Sequence, residues 1–190
     1  MLIAWTAMQI ESMWPVVLEE GPIGYATLRE RMEDELRGAG VDPTGFSHVG
    51  FVVTDVRATL CRLAQEVSPE WASVEPEWGE AFGCRIARRV EDGCELEFIE
   101  PQRESFLKQH LDRFGAGVQH LSFRVADLDA SLNALKQAGA EMADPDVHDG
   151  LHGRIAFIHP AGLGDLCLEL CEEPQGDASL IESRPKLPLS

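Results

Sequence analysis

Two segments of the chain repeat the same order of hydrophobic and polar positions. The stretches SHVGFVVTDVRATLCRL at 47–63 and QHLSFRVADLDASLNAL at 119–135 align without a gap. Each begins with an alternation of polar and apolar residues, rich in Val and Phe, that is typical of a β-strand. Each continues with leucines at helical spacing after an aspartate, Asp55 or Asp127, that suits a helix N-cap. The pattern therefore predicts a strand followed by a helix, twice in one chain.

Further short strands are predicted after each of these helices. The clearer ones are the runs CRIARRV at 84–90, CELEFIE at 94–100, RIAFIHP at 154–160 and LCLELCE at 166–172. A less regular strand is expected near 71–75 in the first half and near 141–143 in the second. Each half of the chain is thus predicted to run β-α-β-β-β.

The repeat divides the chain into five predicted parts. They are an N-terminal extension with a short helix (1–45), a first βαβββ module (46–102), a linking helix (103–117), a second βαβββ module (118–173) and a flexible tail (174–190). Within the extension, Leu28, Met32 and Leu36 fall on one stripe of the predicted helix. Two equivalent modules pack most simply with pseudo-two-fold symmetry. Because each module combines one helix with several strands, the sequence predicts an α+β fold.

Composition narrows the classes of function and partner. The formal net charge of −17, with a sequence pI near 4.6, argues against nucleic acid or an anionic membrane as a partner. The apolar N-terminus lacks a basic region and is interrupted by Gln9, Glu11 and Pro15, which favours neither a signal peptide nor a membrane span. Five scattered cysteines without a CxxC pair are typical of a reduced protein. We therefore expect a cytoplasmic protein.

The strongest chemical signal is a common offset between the two halves. His48 and His120 are 72 residues apart, and so are Glu97 and Glu169, so each histidine precedes its glutamate by 49 residues. Such a register indicates two equivalent structural units, whose matching residues meet near the symmetry axis. Two imidazoles and two carboxylates suit one divalent cation, namely Co, Mn, Zn, Ni or Fe. With four protein ligands, an octahedral shell would keep two positions for water or a chelating substrate.

The segments FSHVGFVVTD, LEFIEP, GAGVQHLSFRVADLDASLNALKQAGA, HGRIAFIHP and LCLELCE carry a resemblance to a known family. Together they resemble the vicinal-oxygen-chelate (glyoxalase/bleomycin resistance/dioxygenase) superfamily, and within it most of all the methylmalonyl-CoA epimerase family. The resemblance implies two βαβββ modules that form a curled mixed sheet around a metal cleft. It also implies that His48, Glu97, His120 and Glu169 are the metal ligands.

The same resemblance implies a reaction and its residues. A bound cation would take two oxygens of a 2-substituted dicarbonyl or thioester, such as an acyl-CoA, and stabilise the enolate that forms when C2 loses its proton. Glu97 and Glu169 are then the candidate bases, one on each face. Two alternatives stay open: another enzyme of the superfamily, either glyoxalase-like or an Fe(II) dioxygenase using His48, His120 and Glu169, and a metal-free small-molecule binder of the same fold.

Three further residues are candidates for contact with the substrate. Arg85 could receive an anionic group, although it could equally pair with the surplus of acidic side chains. His152 and His159 flank a predicted strand that borders the cleft in the related family, where either a substrate contact or a supporting role would fit. The extension at 1–45 is expected to cover a sheet edge or to build a dimer contact, so a homodimer is one expected assembly.

Overall fold

A computed structural model describes residues 22–91, 94–151, 153–159 and 167–172, with residues 22–28 described by their backbone alone. The predicted tail, residues 1–21 of the N-terminal extension and His152 lie outside the described residues. The helices are α1 (Pro22–Gly38), α2 (Val56–Glu66), α3 (Phe106–Phe114) and α4 (Leu128–Gln137), and a 3₁₀ helix spans Pro69–Ser73. The strands are β1 (Pro43–Val52), β2 (Glu77–Gly79), β3 (Cys84–Glu91), β4 (Cys94–Pro101), β5 (Gly117–Val125), β6 (Glu141–Met142), β7 (His148–Gly150), β8 (Gly153–His159) and β9 (Cys167–Glu172).

Within the described residues the strands form one curled mixed sheet in the order β2-β3-β4-β1-β5-β9-β8-β6, with β7 beside β8. β1 and β5, the first strands of the two repeats, pair antiparallel at its centre. Each runs parallel to the last strand of its own repeat, β4 or β9. Val49 lies directly opposite Leu121, the residue 72 positions later, so the pseudo-two-fold axis passes through this pair. The expected α+β fold with two related βαβββ modules is confirmed.

One expected strand is wrong. Residues near 71–75 lie mostly in the 3₁₀ helix, because Trp71 is completely buried and its ring meets the edge of Phe98 at 5.5 Å between centroids. The strand of the first module follows instead at β2, where Glu77 lies opposite Ile86 of β3. The strand expected near 141–143 is confirmed as β6, and β7 continues along the same edge of β8 after a short irregular segment.

Helices α1, α2 and α4 pack on the outer face of the sheet, whereas α3 packs Leu107 against Val52 and Ile99 of the concave face. The largest apolar cluster joins Met32 and Leu36 of α1 to the leucines of α4 and to the outward residues of β5 and β9. A second cluster packs Val56 and Leu60 of α2 against Trp71 and the first module. Because side chains alternate along a strand, this packing directs the intervening residues of the central strands to the opposite, concave face. The histidines and glutamates of the repeat lie on that face.

The two modules cap their helices in the same way. Asp55 accepts a hydrogen bond from the backbone N–H of Ala58, and Asp127 from that of Ala130. A second carboxylate, at the end of the last strand, accepts from the first helical N–H. Glu100 accepts from Val56 N at 3.0 Å, and Glu172 accepts from Leu128 N at 3.0 Å.

An arginine of the preceding strand holds each of these carboxylates. Arg154 Nη1 donates to Glu172 at 3.0 Å, and the same guanidinium donates to Asp129 of α4. In the first module Arg85 Nη1 donates to Glu100 at 3.4 Å. The strand that carries the glutamate is thereby tied to the helix that packs on the sheet.

No helix in the described part of the chain is long and apolar enough to cross a membrane.

The capping carboxylates generate a stability prediction. Glu172→Ala leaves the N–H of Leu128 without its acceptor and removes one of the two carboxylates that Arg154 contacts, so the free energy of unfolding should fall by about 1–2 kcal/mol in urea titrations. Glu100→Ala should cause a loss of similar size in the first module. Glu66→Ala is the control, because its exposed ion pair with Arg62 is 3.7 Å long, and it should change stability by less than about 0.5 kcal/mol. Equal effects in all three variants would contradict the capping role.

Candidate metal centre

Four side chains of the repeat meet on the concave face of the sheet. They come from four strands that lie side by side: Glu97 from β4, His48 from β1, His120 from β5 and Glu169 from β9. All four residues are buried, with exposed fractions of 3% for His48, 7% for Glu97, 0% for His120 and 3% for Glu169. The structure thus brings together the four residues that share the offset of 72 positions.

The distances show that the donor atoms face one another. His48 Nε2 lies 3.1 Å from His120 Nε2, and the two rings meet edge to face. Glu97 Oε1 lies 3.7 Å from His48 Nε2 and 3.9 Å from His120 Nε2. Glu169 approaches the same two nitrogens at 3.6 and 3.8 Å through its two oxygens. Two nitrogen and two carboxylate ligands therefore surround one small volume.

These separations fit one divalent cation. Ligand atoms at about 2.1 Å from a metal lie about 3.0 Å apart at right angles and about 4.2 Å apart when opposite. The ligand atoms of His48, Glu97 and His120 all lie within 4.8 Å of one another, and Glu169 adds the second carboxylate. Nitrogen and oxygen donors of this kind suit Zn²⁺, Co²⁺, Ni²⁺, Mn²⁺ or Fe²⁺.

Burial shapes the protonation of the site. Desolvation raises the pKa of Glu97, against the attraction of Arg88. Desolvation also raises the pKa of Glu169, and the nearby Glu97 adds to that rise, while the hydrogen bond from Ser122 opposes it. Burial lowers the pKa of His120 to about 3, so this imidazole is neutral at physiological pH. Without a cation, these carboxyls therefore keep protons, and a bound cation would replace those protons.

Three polar residues that the sequence reasoning missed hold these side chains. Ser47 Oγ lies 3.2 Å from His48 Nδ1, and Gln119 Oε1 lies 2.7 Å from His120 Nδ1. Ser122 Oγ donates to Glu169 Oε1 at 2.6 Å. Strand alternation assigns Ser47 and Gln119 to the face opposite the histidines. The available signal was that each directly precedes its histidine and that the two share the offset of 72 residues.

A cleft of about 230 Å³ opens beside the site, and its lining includes His48, Glu97 and Glu169 but not His120. Its wall is mostly apolar, and its lining includes Phe82, Ile86, Leu107, Ile155 and Phe157. Trp78 and Leu151 lie in the same lining with exposed fractions of 44% and 40%. Glu80 also lines the cleft, and its pKa is lowered by hydrogen bonds from Trp78 and Arg103. A ligand that reaches the four donors would therefore place its outer part against apolar side chains.

The remaining substrate-contact candidates lie elsewhere in the described structure. Arg85 does not line the cleft and donates to Glu100 in the helix-capping arrangement. His159 lies at the end of β8, where its Nδ1 is 3.8 Å from Cys167 Sγ, and it is also outside the cleft lining.

The curled sheet and its concave site define the class of protein. The sequence model of the Glyoxalase/Bleomycin resistance protein/Dioxygenase superfamily matches residues 47–157. This match covers more than half of the chain, and the chain belongs to that superfamily.

Individual relatives share most of their length with this chain. The uncharacterised protein YqjC of Bacillus subtilis is 35% identical over 132 residues, which cover 68% of this chain and 92% of that protein. The methylmalonyl-CoA epimerase of Mycobacterium tuberculosis is 29% identical with a TM-score of 0.58, over 70% of this chain and 89% of that one. A Streptomyces coelicolor methylmalonyl-CoA epimerase, solved with 2-nitronate-propionyl-CoA, is 27% identical with a TM-score of 0.57, over 70% and 99% of the two chains. The similarity thus includes epimerases that act on acyl-CoA.

The raised carboxyl pKa values predict how stability depends on pH in the metal-free protein. Glu97 and Glu169 hold their protons in the folded state at a pH where they lose them in the unfolded state, so unfolding releases protons. Stability therefore falls as pH rises. The lowered pKa of His120 makes stability rise with pH, but only below about pH 6.5, the usual pKa of histidine. Between pH 6.5 and 8.5 the free energy of unfolding in EDTA should drop by roughly 1–3 kcal/mol.

Urea titrations across this pH range provide the measurement. The double variant Glu97→Gln/Glu169→Gln is the matched control, and it should lose this part of the pH dependence because an amide does not titrate. A wild-type stability that rises over the same range would contradict the protonation described for the site.

Proposed function

We propose that this chain is a metal-dependent isomerase of the methylmalonyl-CoA epimerase type, acting on a chelated 2-substituted dicarbonyl or thioester. The observation that carries the proposal is the convergence of two histidine Nε2 atoms and two buried carboxylates, with His48, Glu97 and Glu169 in the lining of an apolar cleft. A binding protein without a metal has no need for two carboxylates that are costly to bury. The similarity to acyl-CoA epimerases supports the reaction class.

Four residues would bind the cation, and three neighbouring polar residues hold them in place. His48, Glu97, His120 and Glu169 would hold the cation, whose Lewis acidity stabilises the negative charge that develops on the substrate oxygens when C2 loses its proton. Ser122 orients Glu169 through its hydrogen bond. Ser47 and Gln119 hold the far nitrogens of the two imidazoles.

Glu97 and Glu169 are the proposed bases. Epimerisation removes the C2 proton on one face and returns a proton on the other, so it needs a proton carrier on each face. The two glutamates are related by the pseudo-two-fold axis, and each lies within 4 Å of both histidines. Burial raises the pKa of both carboxyls in the metal-free protein, and a bound cation would lower it, so each glutamate would act as a coordinated carboxylate. One accepts the proton from C2 while the other donates from the opposite side.

The cleft wall supports the same chemistry. Phe157 and Ile155 come from β8, and Ile86 and Ile99 come from β3 and β4, so both modules contribute apolar side chains. Exclusion of water lowers the local dielectric and strengthens the electrostatic stabilisation of the negative charge on the substrate oxygens. The substituent at C2 and the thioester arm would lie against this apolar surface.

Metal binding is the first testable consequence. Protein purified without added cation should contain about one equivalent of a divalent metal by elemental analysis, and EDTA-treated protein should rebind one equivalent in calorimetric titrations. His48→Ala should weaken that affinity by at least about 100-fold, since it removes a direct ligand. His148→Ala, whose imidazole is held by Asp144, is the matched histidine control and should bind normally. A wild-type protein that neither contains nor binds a divalent cation would refute the proposed enzyme and favour a binding protein.

Proton exchange at C2 tests the reaction. With methylmalonyl-CoA in D₂O, the metal-loaded protein should wash deuterium into the 2-position, as followed by NMR or mass spectrometry. Glu97→Gln and Glu169→Gln should each slow exchange by about 10²–10⁴-fold, because an amide cannot carry the proton. Glu141→Gln, an exposed carboxylate of β6, is the control and should retain the wild-type rate.

Metal content must be measured in the same variants, so that loss of the base is separated from loss of the cation. Metal binding without any exchange would retire this substrate and leave a glyoxalase-like enzyme or an Fe(II) dioxygenase. Oxygen consumption with Fe(II) then separates those two.

A further inference from the structure

Gln119 is buried directly beside a proposed metal ligand without being one itself. Its exposed fraction is 0%, as is that of His120. Gln119 Oε1 lies 2.7 Å from His120 Nδ1, a short contact for a nitrogen–oxygen hydrogen bond. In the described part of the chain, Gln119 Nε2 has no hydrogen-bond partner. The buried amide of Gln119 therefore contacts His120 through its oxygen.

The contact decides which nitrogen of His120 carries the proton. A neutral imidazole has one N–H and one lone pair, and an acceptor at Nδ1 places the proton on Nδ1. The lone pair is then on Nε2, which faces His48, Glu97 and Glu169. The opposite tautomer would direct an N–H from His120 Nε2 at His48 Nε2, 3.1 Å away, and would have no lone pair for a cation.

Two further contacts fix where the ring lies. Gly50 is the β1 residue opposite His120, and a Cβ at Gly50 would lie 1.9 Å from His120 Cε1. The ring of Phe157 meets that of His120 edge to face, at 5.3 Å between centroids. The imidazole therefore fills a slot that only glycine leaves open, and its remaining freedom is the position of its proton.

The first module offers a natural comparison. Ser47 is the residue that matches Gln119 through the offset of 72 positions, and its Oγ lies 3.2 Å from His48 Nδ1. A hydroxyl both donates and accepts, so Ser47 is compatible with either tautomer of His48. The carbonyl oxygen of Gln119 only accepts. The two histidines are thus held by groups that differ in how strictly they fix the tautomer.

We propose that Gln119 is a positioning residue that fixes His120 as the Nδ1–H tautomer, with its Nε2 lone pair directed at the metal site, in a slot kept open by Gly50. This inference rests on the proposed function for its role towards a cation. The tautomer itself is a property of the metal-free protein. Loss of a group that orients a metal-ligating histidine typically reduces metal affinity by 10–100-fold.

The test reads the tautomer directly. Long-range ¹H–¹⁵N NMR of metal-free, ¹⁵N-labelled protein distinguishes protonated from unprotonated ring nitrogens, and the signals of His120 are assigned by their loss in His120→Gln. Wild-type protein should show His120 protonated at Nδ1. Gln119→Met keeps the length of the side chain but removes the acceptor, so it should add the Nε2–H tautomer and weaken Co²⁺ or Zn²⁺ binding by about 10–100-fold. Ser47→Ala is the matched control and should leave the His120 tautomer unchanged.

Two results would overturn the inference. His120 protonated at Nε2 in the wild type would overturn it without any variant, even if Gln119→Met failed to fold. A folded Gln119→Met protein with an unchanged tautomer and unchanged affinity would also overturn it. If wild-type protein binds no divalent cation, the proposed function fails, while the NMR result still tests the role of Gln119.

Discussion

The structure depends on burying two carboxylates and two imidazoles against one another at the centre of a sheet. Burial alone would make charged glutamates very costly, since an isolated charge loses its hydration. Desolvation raises the pKa of Glu97 and of Glu169, which favours protonated carboxyls in the absence of a cation. Such a cluster is tolerated only where the surrounding strands hold it in place. The pairing of β1 with β4 and β5, and of β5 with β9, provides that frame.

Both modules hold their strands and helix together through equivalent contacts. Each module ties the end of its last strand to its helix through a glutamate, Glu100 or Glu172, and an arginine, Arg85 or Arg154. These ties keep the helix fixed on the outer face while the alternate residues of the same strands form the concave site. Arg85, a candidate for substrate contact from the sequence, donates to Glu100 in this tie and does not line the cleft.

The two modules differ in the residues that contact the side chains of the proposed metal site. Glu169 accepts a hydrogen bond from Ser122, whereas the residue that matches Ser122 in the first module is Gly50, which makes room for His120. Gln119 and Ser47 likewise differ in the way they hold their histidines. The two halves of the site are therefore not equivalent.

The sequence by itself determined the repeat, the strand–helix order, the α+β class and the identity of the four residues that meet. These follow from local periodicity and from one constant offset between His48, Glu97, His120 and Glu169. Only the tertiary structure decided that Trp71 lies in a 3₁₀ helix, because burial against Phe98 outweighed the local strand pattern. It alone also placed Gln119 beside His120, since strand alternation points neighbouring residues to opposite faces. Contacts across the sheet depend on distance in space, and a sequence pattern records only distance along the chain.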